Sequence, residues 1–505
     1  MPIAVTEDLL RAVVTKDKAL SDGRTLVKKG SFRGLCATAD QSLIWGECQG
    51  SGANPYVLSI DLIGDNPVIR CTCPVKPPPC KHALGLLVHF MEKPAAFATA
   101  EGPAELLEKR SKNIERAEKK AEAATKPKEV DLAALAKKTK VQREALDLLE
   151  RLVLDVAGSG LGALSGDKAG KLAEQARQLT DAYLPGAAEA LRRLAALATP
   201  DADADRDRFY QLVEPGSNLP DDLRHRLMVR HLTRLWAMVR KGQKALDDKL
   251  DEGESAAAAE AVVEDLLGHV WDLAALKAKG HWRTGLRLFE LADERHLDHV
   301  RGERVEQSFL LDLDQGDILV DRKFRPFAAL DKIKEKDSYE RPFTISEAGL
   351  YPGFINRRVR WEPAALTSRP ATAEDFAAIH ARALGDLSAA LAKYKEQIRN
   401  PLAPDDAVLL VRAADLRQAA DLGQAGAALA LIDAKGAALL IRDADLARCR
   451  TTNNLAMAAA AHLADGKLRQ PASLLVRLHL GLADDAIHGQ ALALVVGNTH
   501  IRLGM

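Results

Sequence analysis

The chain has 505 residues, enough for about three domains, each with its own core. Its 71 Lys and Arg are balanced by 71 Asp and Glu, and this formal net charge of zero excludes a protein coated for bulk nucleic-acid binding. Six cysteines, five of them within the first eighty residues, exclude a disulfide framework and suit a reducing compartment. No apolar run approaches the roughly eighteen residues of a membrane span, and Met1-Pro2-Ile3-Ala4-Val5-Thr6-Glu7-Asp8 lacks the basic and apolar regions of a signal peptide. A soluble, cytoplasmic protein is expected.

Residues 1–95 read as one small domain. Ser31–Ala37, Ser42–Cys48, Tyr56–Ile63 and Val68–Cys73 have the composition of short strands, separated by turns that contain Gly, Asn and Asp. Apolar residues at Leu84, Leu87, Val88 and Met91 predict a helix over Cys80–Glu92 that stops before Pro94. Between strand and helix, Cys71-Thr72-Cys73-Pro74-Val75-Lys76-Pro77-Pro78-Pro79-Cys80-Lys81-His82 gathers three cysteines in ten residues and closes on a histidine. A strand's period of two puts Cys71 and Cys73 on one face, and the three prolines stiffen the return. Cys80 and His82 fall at the helix start, where the positive helix end lowers a thiol's pKa. Three thiolates and an imidazole are the donor set of tetrahedral zinc, so one structural Zn2+ per chain is expected on Cys71, Cys73, Cys80 and His82. Burial for packing, or a reactive thiol pair, accounts for one or two cysteines but not for this group. Cys36 and Cys48 read either as buried wall residues or as spare ligands; the complete four-ligand set favours the wall.

The pattern Cys-x-Cys-x6-Cys-x-His resembles the SWIM-type zinc finger. Trp45-Gly46-Glu47-Cys48-Gln49-Gly50-Ser51-Gly52-Ala53-Asn54-Pro55-Tyr56 is similar to that family's strand-and-turn segment, and Cys80-Lys81-His82-Ala83-Leu84-Gly85-Leu86-Leu87 to its ligand-bearing helix, within about residues 30–92. The ligand loop departs from the family, carrying Val75-Lys76-Pro77-Pro78-Pro79 where relatives tend to have Ser-Arg-Lys-Phe-Pro. The chain also resembles bacterial SWIM zinc finger proteins of about this length, with a looser likeness through Leu146–Leu197. Genes for such proteins tend to accompany a MoxR-type AAA+ ATPase and a von Willebrand A domain protein. The resemblance therefore implies these two as protein partners, and it implies contact with DNA as a second reading.

Residues 96–130 are a charged linker or solvated helix. Residues 101–130 hold eight Lys/Arg and seven Glu with few large apolar residues, a mixture that makes i,i+4 pairs rather than a nucleic-acid arm. Helical periodicity marks 131–300. Leu146, Leu149, Val153 and Val156 step by three and four, as do Leu172, Ala176 and Leu179, and then Leu191, Leu194 and Leu197. Five to eight helices are expected there. One of them, Asp221–Lys241, carries Arg226, Arg230 and Arg234 at i, i+4 and i+8. Over 221–244 there are seven basic and two acidic residues. The stripe is either a solvated face capped by its own aspartates, which is favoured, or a contact for an acidic partner or nucleic acid.

Residues 301–400 change period. Ser308–Leu313 and Asp317–Phe324 flank Asp314-Gln315-Gly316 as a hairpin. Phe343–Ile345 and Phe354–Trp361 extend the sheet, and Ala371–Arg399 returns to helix. Residues 401–505 mix strands at Ala407–Arg412, Ala427–Ile432 and Ala437–Arg442 with a helix near Asn454–Ala464 and a hairpin over Leu492–Leu503 turned at Gly497-Asn498.

The predicted fold class is α+β multidomain, with a small N-terminal β-sheet-plus-helix zinc domain, a central helical domain and a C-terminal mixed region. No catalytic constellation emerges. Gly158-Ser159-Gly160-Leu161-Gly162 with Gly166-Asp167-Lys168 fails the spacing of a phosphate loop, and His296-Leu297-Asp298-His299 lacks a third partner in sequence. Four protein ligands leave zinc no open position for water, so a non-enzymatic interaction or adaptor protein is expected. The alternative is a nucleic-acid-binding protein that uses the finger and the basic helix.

Overall fold

The structure, a computed structural model, describes residues 2–14, 17–49, 54–63, 67–74, 79–111, 132–164, 167–198, 221–252, 258–298, 300–332, 338–339, 341–422, 429–443, 451–464 and 467–504. The chain divides into two compact units, Met1–Val130 and Asp131–Met505. The fold class is the α+β multidomain one expected from the sequence.

In the first unit, helices α1 (Glu7–Val13) and α2 (Asp17–Lys28) precede strands β1 (Phe32–Ala37), β2 (Leu43–Cys48), β3 (Tyr56–Asp61) and β4 (Val68–Cys71), then helix α3 (Lys81–Glu92) and the short strand β5 (Ala98–Thr99). The sheet order is β4-β3-β2-β1-β5, antiparallel except where β5 runs parallel to β1. Four strands and the helix fall where the sequence predicts them. The helices α1 and α2 are additions to that reading, tied together by an Arg24–Glu7 ion pair at 2.6 Å. Core residues Leu58 and Ile60 from the sheet meet Ala83, Leu86, Leu87 and Val88 from α3, all of them fully buried.

The first part of the expected linker folds onto this unit. Beyond β5, the Arg110 guanidinium donates to the Asp61 carboxylate at 2.9 Å and to the Ser42 hydroxyl and carbonyl at 3.0 Å each. Residues 112–131 of the charged run lie outside the described residues.

The second unit opens with six helices among the described residues: α4 (Leu132–Ser159), α5 (Asp167–Asp181), α6 (Pro185–Ala198), α7 (Asp221–Glu252), α8 (Ala258–Leu267) and α9 (Leu273–Ala278). Every apolar residue whose spacing predicted a helix, from Leu146 to Leu197, lies in one shared core with Leu235, Met238 and Val239 of α7. The helical stretch expected up to residue 300 ends early, however. Trp282–Asp298 is a seventeen-residue strand, β6, that pairs with β7 (Glu303–Asp312) on one side and β9 (Phe343–Leu350) on the other. Its alternation is broken twice. Gly285 sits at φ +66°, and the register slips between Glu290 and Ala292, so no long run shows a period of two.

The predicted hairpin is β7 with β8 (Ile318–Pro326), and β10 (Val359–Arg360) and β11 (Leu366–Ser368) complete this sheet. The predicted helix at Ala371–Arg399 is two helices, α10 (Ala373–Arg382) and α11 (Leu387–Ile398). A second sheet is built from β12 (Asp406–Arg412), β13 (Asp415–Gln418), β14 (Leu429–Ile432), β15 (Ala438–Ile441), β18 (Ala472–Leu480), β19 (Ile487–Val496) and β20 (Thr499–Arg502), while β16 (Leu463–Ala464) and β17 (Lys467–Leu468) pair, among the described residues, only with each other. Its order is β12-β18-β19-β15-β14-β13, with β20 beside β19. Phe289, Leu291, Phe309 and Leu311 of the first sheet share a buried cluster with Val408, Leu410, Leu475 and Leu492 of the second.

Candidate metal centre

The site is assembled by an edge strand and a helix start. Strand β4 pairs with β3, setting Cys71 opposite Leu58. Just past it, Thr72 is held to Val57 twice: its amide donates to the Val57 carbonyl at 3.1 Å, and its hydroxyl accepts from the Val57 amide at 2.9 Å. This clamp fixes the cysteines on either side of it. The Cys73 amide points at the Cys71 sulfur, 3.4 Å away. Cys80 is the N-cap residue of α3, in extended backbone conformation, and His82 lies in the first turn of the helix.

The sulfur atoms of Cys71, Cys73 and Cys80 and the ring nitrogen offered by His82 all lie within 4.8 Å of one another. Zinc–sulfur bonds of about 2.3 Å in a tetrahedron place sulfurs about 3.8 Å apart, so the donor set fits one Zn2+ with little movement. Cys73, Cys80 and His82 are at most 5% exposed and Cys71 is half-buried. The Tyr56 ring lies against the imidazole of His82, with ring centres 4.7 Å apart.

Electrostatics favours a thiolate in the cluster. The hydrogen bond between Cys71 and Cys80 holds the Cys80 thiol down at about 3, with His82 and the Ala83 amide adding to it, and drives Cys71 up. Cys48 is a different case. Burial, and then the charge of Cys80, pushes its thiol up to about 11, and it belongs to the apolar core rather than to the donor group. Cys36 is likewise outside that group.

Two glycines missed in the sequence reading position the ligand helix. A Cβ on Gly23 of α2 would stand 2.9 Å from both the Gly85 nitrogen and the Lys81 carbonyl oxygen, so α2 crosses the first turns of α3 backbone to backbone. Gly23→Ala should cost about 1–3 kcal/mol through overpacking, despite Ala's better helix propensity. Faster hydrogen exchange across α2 and α3 would report it; wild-type protection in that variant would refute the close crossing. A second expectation concerns the metal itself. Purified protein should hold one zinc per chain, and a Cys73→Ala, Cys80→Ala double variant should hold none. Metal analysis by mass spectrometry decides, and full zinc in the double variant would break the assignment.

The basic stripe is placed differently. On α7, Arg226 pairs with Asp485 at 2.8 Å and Arg230 approaches the same carboxylate at 3.8 Å. Arg234 donates to the Ala403 carbonyl at 2.9 Å. All three reach C-terminal residues of their own unit. Of the histidine-rich quartet, Asp298 pairs with Arg193 at 2.5 Å, and His299 lies outside the described residues.

Residues 57–90 match the family model of the SWIM zinc finger, a span that runs from β3 through β4 into α3 and contains all four donors. No curated protein and no solved structure matches the chain. None of the described helices is long and apolar enough to cross a membrane. With the matched pattern and the converged Cys3His group agreeing residue for residue, this stretch of the chain is a SWIM-type zinc finger with a site for a single Zn2+.

Proposed function

We propose that the protein is a non-enzymatic, cytoplasmic adaptor whose zinc finger is a structural clamp, and that it works beside a MoxR-type AAA+ ATPase and a von Willebrand A domain protein. The observation that carries this reading is the closed donor set. Four protein ligands, three of them almost fully buried, leave the metal no position for water or substrate. When bound, the ion supplies folding energy to the sheet and helix around it, and recognition falls to the protein surface. The partner classes follow from the resemblance to bacterial SWIM proteins.

Nucleic-acid binding is the weaker reading, because Arg226, Arg230 and Arg234 are engaged with Asp485 and Ala403. Residues 1–95 add little field, with eleven basic against nine acidic side chains. The test is capture of the tagged full-length chain from native lysate, before and after nuclease, with mass spectrometry of what co-purifies. Enrichment of an AAA+ ATPase and a von Willebrand A domain protein that survives nuclease is expected. Recovery of nucleic acid alone would overturn the reading.

A further inference from the structure

The helical core of the second unit has an opening that the described residues do not fill. Between α4 and α5, with α6 as its floor, lies a groove of about 280 Å³. Val141, Leu148 and Leu152 line it from α4 and Leu179 from α5. Val141 is 38% and Leu148 54% exposed, although each sits one or two turns from residues buried in the bundle. From Val141 to Leu152 the wall runs about 16 Å, three helical turns. Apolar side chains at these positions form the strip that receives the apolar face of another helix.

Three polar side chains line the groove among the described residues, and one of them gives it a sign. Glu144 lines it and makes no ion pair or hydrogen bond with any described residue. Gln175 and Gln178 line it from α5, and each amide offers both a donor and an acceptor. Among the described lining residues Glu144 alone carries a charge, and none is basic. A carboxylate with no cationic partner among the described residues, set on the wall of an apolar groove, favours an occupant that brings a cationic donor.

We propose that this groove is the docking site for an amphipathic helix of a partner protein, three turns long, with apolar residues at i, i+3 or i+4, and i+7 and a Lys or Arg set against Glu144. The proposal rests on the adaptor reading and names the partner surface for it.

The test uses the full-length, zinc-loaded chain and two fluorescein-labelled synthetic helices of about fourteen residues. Both carry leucines at the same heptad positions; one has a lysine polar face and the other a glutamate polar face. By fluorescence anisotropy, wild type should bind the leucine–lysine peptide saturably and the leucine–glutamate peptide at least about tenfold more weakly. Leu148→Asp should weaken binding by about tenfold or more, and Glu144→Lys should reverse the preference between the peptides. Both side chains are exposed, so unchanged melting curves will certify the variants' folds.

No saturable binding by wild type, equal binding of the two peptides, or either variant behaving as wild type would overturn the proposal. So would sedimentation showing a wild-type dimer that Leu148→Asp dissociates, which assigns the groove to a second copy of the chain. Peptides that ignore the groove while the ATPase partner is still captured would remove the groove and leave the adaptor. Peptides that bind as expected while no protein partner is captured would do the reverse.

Discussion

Chelating the zinc should unfold the sheet and helix around it, roughly residues 30–92, and leave the second unit folded. The magnitudes decide this. Structural zinc sites contribute about 10–16 kcal/mol of apparent binding free energy, while a whole small domain is stable by only about 5–15 kcal/mol. The first unit depends on α3 for its core, because Ala83, Leu84, Leu86, Leu87 and Val88 are fully buried. Two of the four donors, Cys80 and His82, anchor the start of that helix, and the other two anchor the end of β4 and the turn after it. Losing the ion therefore releases both ends of the clamp at once. The second unit is untouched, since its helical core and its two packed sheets contain no residue of the finger. Hydrogen exchange with and without chelator is the measurement. Protection should vanish over β3, β4 and α3 and persist over α4, β18 and β19. An α3 that keeps its protection without metal would show that packing alone holds the finger.

The donor set was legible because it is local. Cys71, Cys73, Cys80 and His82 are close in sequence, and the prolines between them leave the chain few ways to bring them anywhere but together. The helical bundle was legible for a similar reason, since one face repeating every three or four residues must be buried along its whole length. Features that arise from contacts between distant residues were not. Gly23 and Gly85 look like two weak helix residues until α2 and α3 are seen to cross on them. Strand β6 hides its period behind two irregularities. The helices α1 and α2 are short, and α2 brings only Leu20, Leu26 and Val27 to the core, so its amphipathic pattern is too brief to stand out in sequence. The groove between α4 and α5 has no sequence signal at all, because Leu148 belongs to the same apolar spacing as the residues buried beside it.

Arg234→Glu should destabilise the second unit by about 2–3 kcal/mol, whereas Arg226→Glu should cost no more than about 1 kcal/mol. In sequence the two are equivalent members of one stripe; in the fold they are not. Arg226 is 46% exposed and pairs with an exposed carboxylate, so screening leaves its interaction weak. Arg234 is held against the Ala403 carbonyl, where burial disfavours its charge and the nearby carboxylate of Asp405 offsets only part of that. Burial already raises the pKa of Asp405. A glutamate at 234 would remove a donor and set a second carboxylate beside it. Thermal melting should therefore separate the two variants clearly, with the Arg234 variant unfolding several degrees lower. The same pair of variants tests the nucleic-acid reading. A stripe that tracks phosphates would lose affinity at Arg226 and Arg234 alike, each by a similar factor and with a smaller salt dependence. The internal engagement of these arginines leads us to expect no sub-micromolar binding by wild type at about 150 mM salt, where non-specific affinity requires a cationic excess that this chain lacks. Anisotropy titration of a labelled duplex that showed such binding in wild type, and its equal loss in two variants of unequal stability, would move the function from protein contacts to nucleic acid.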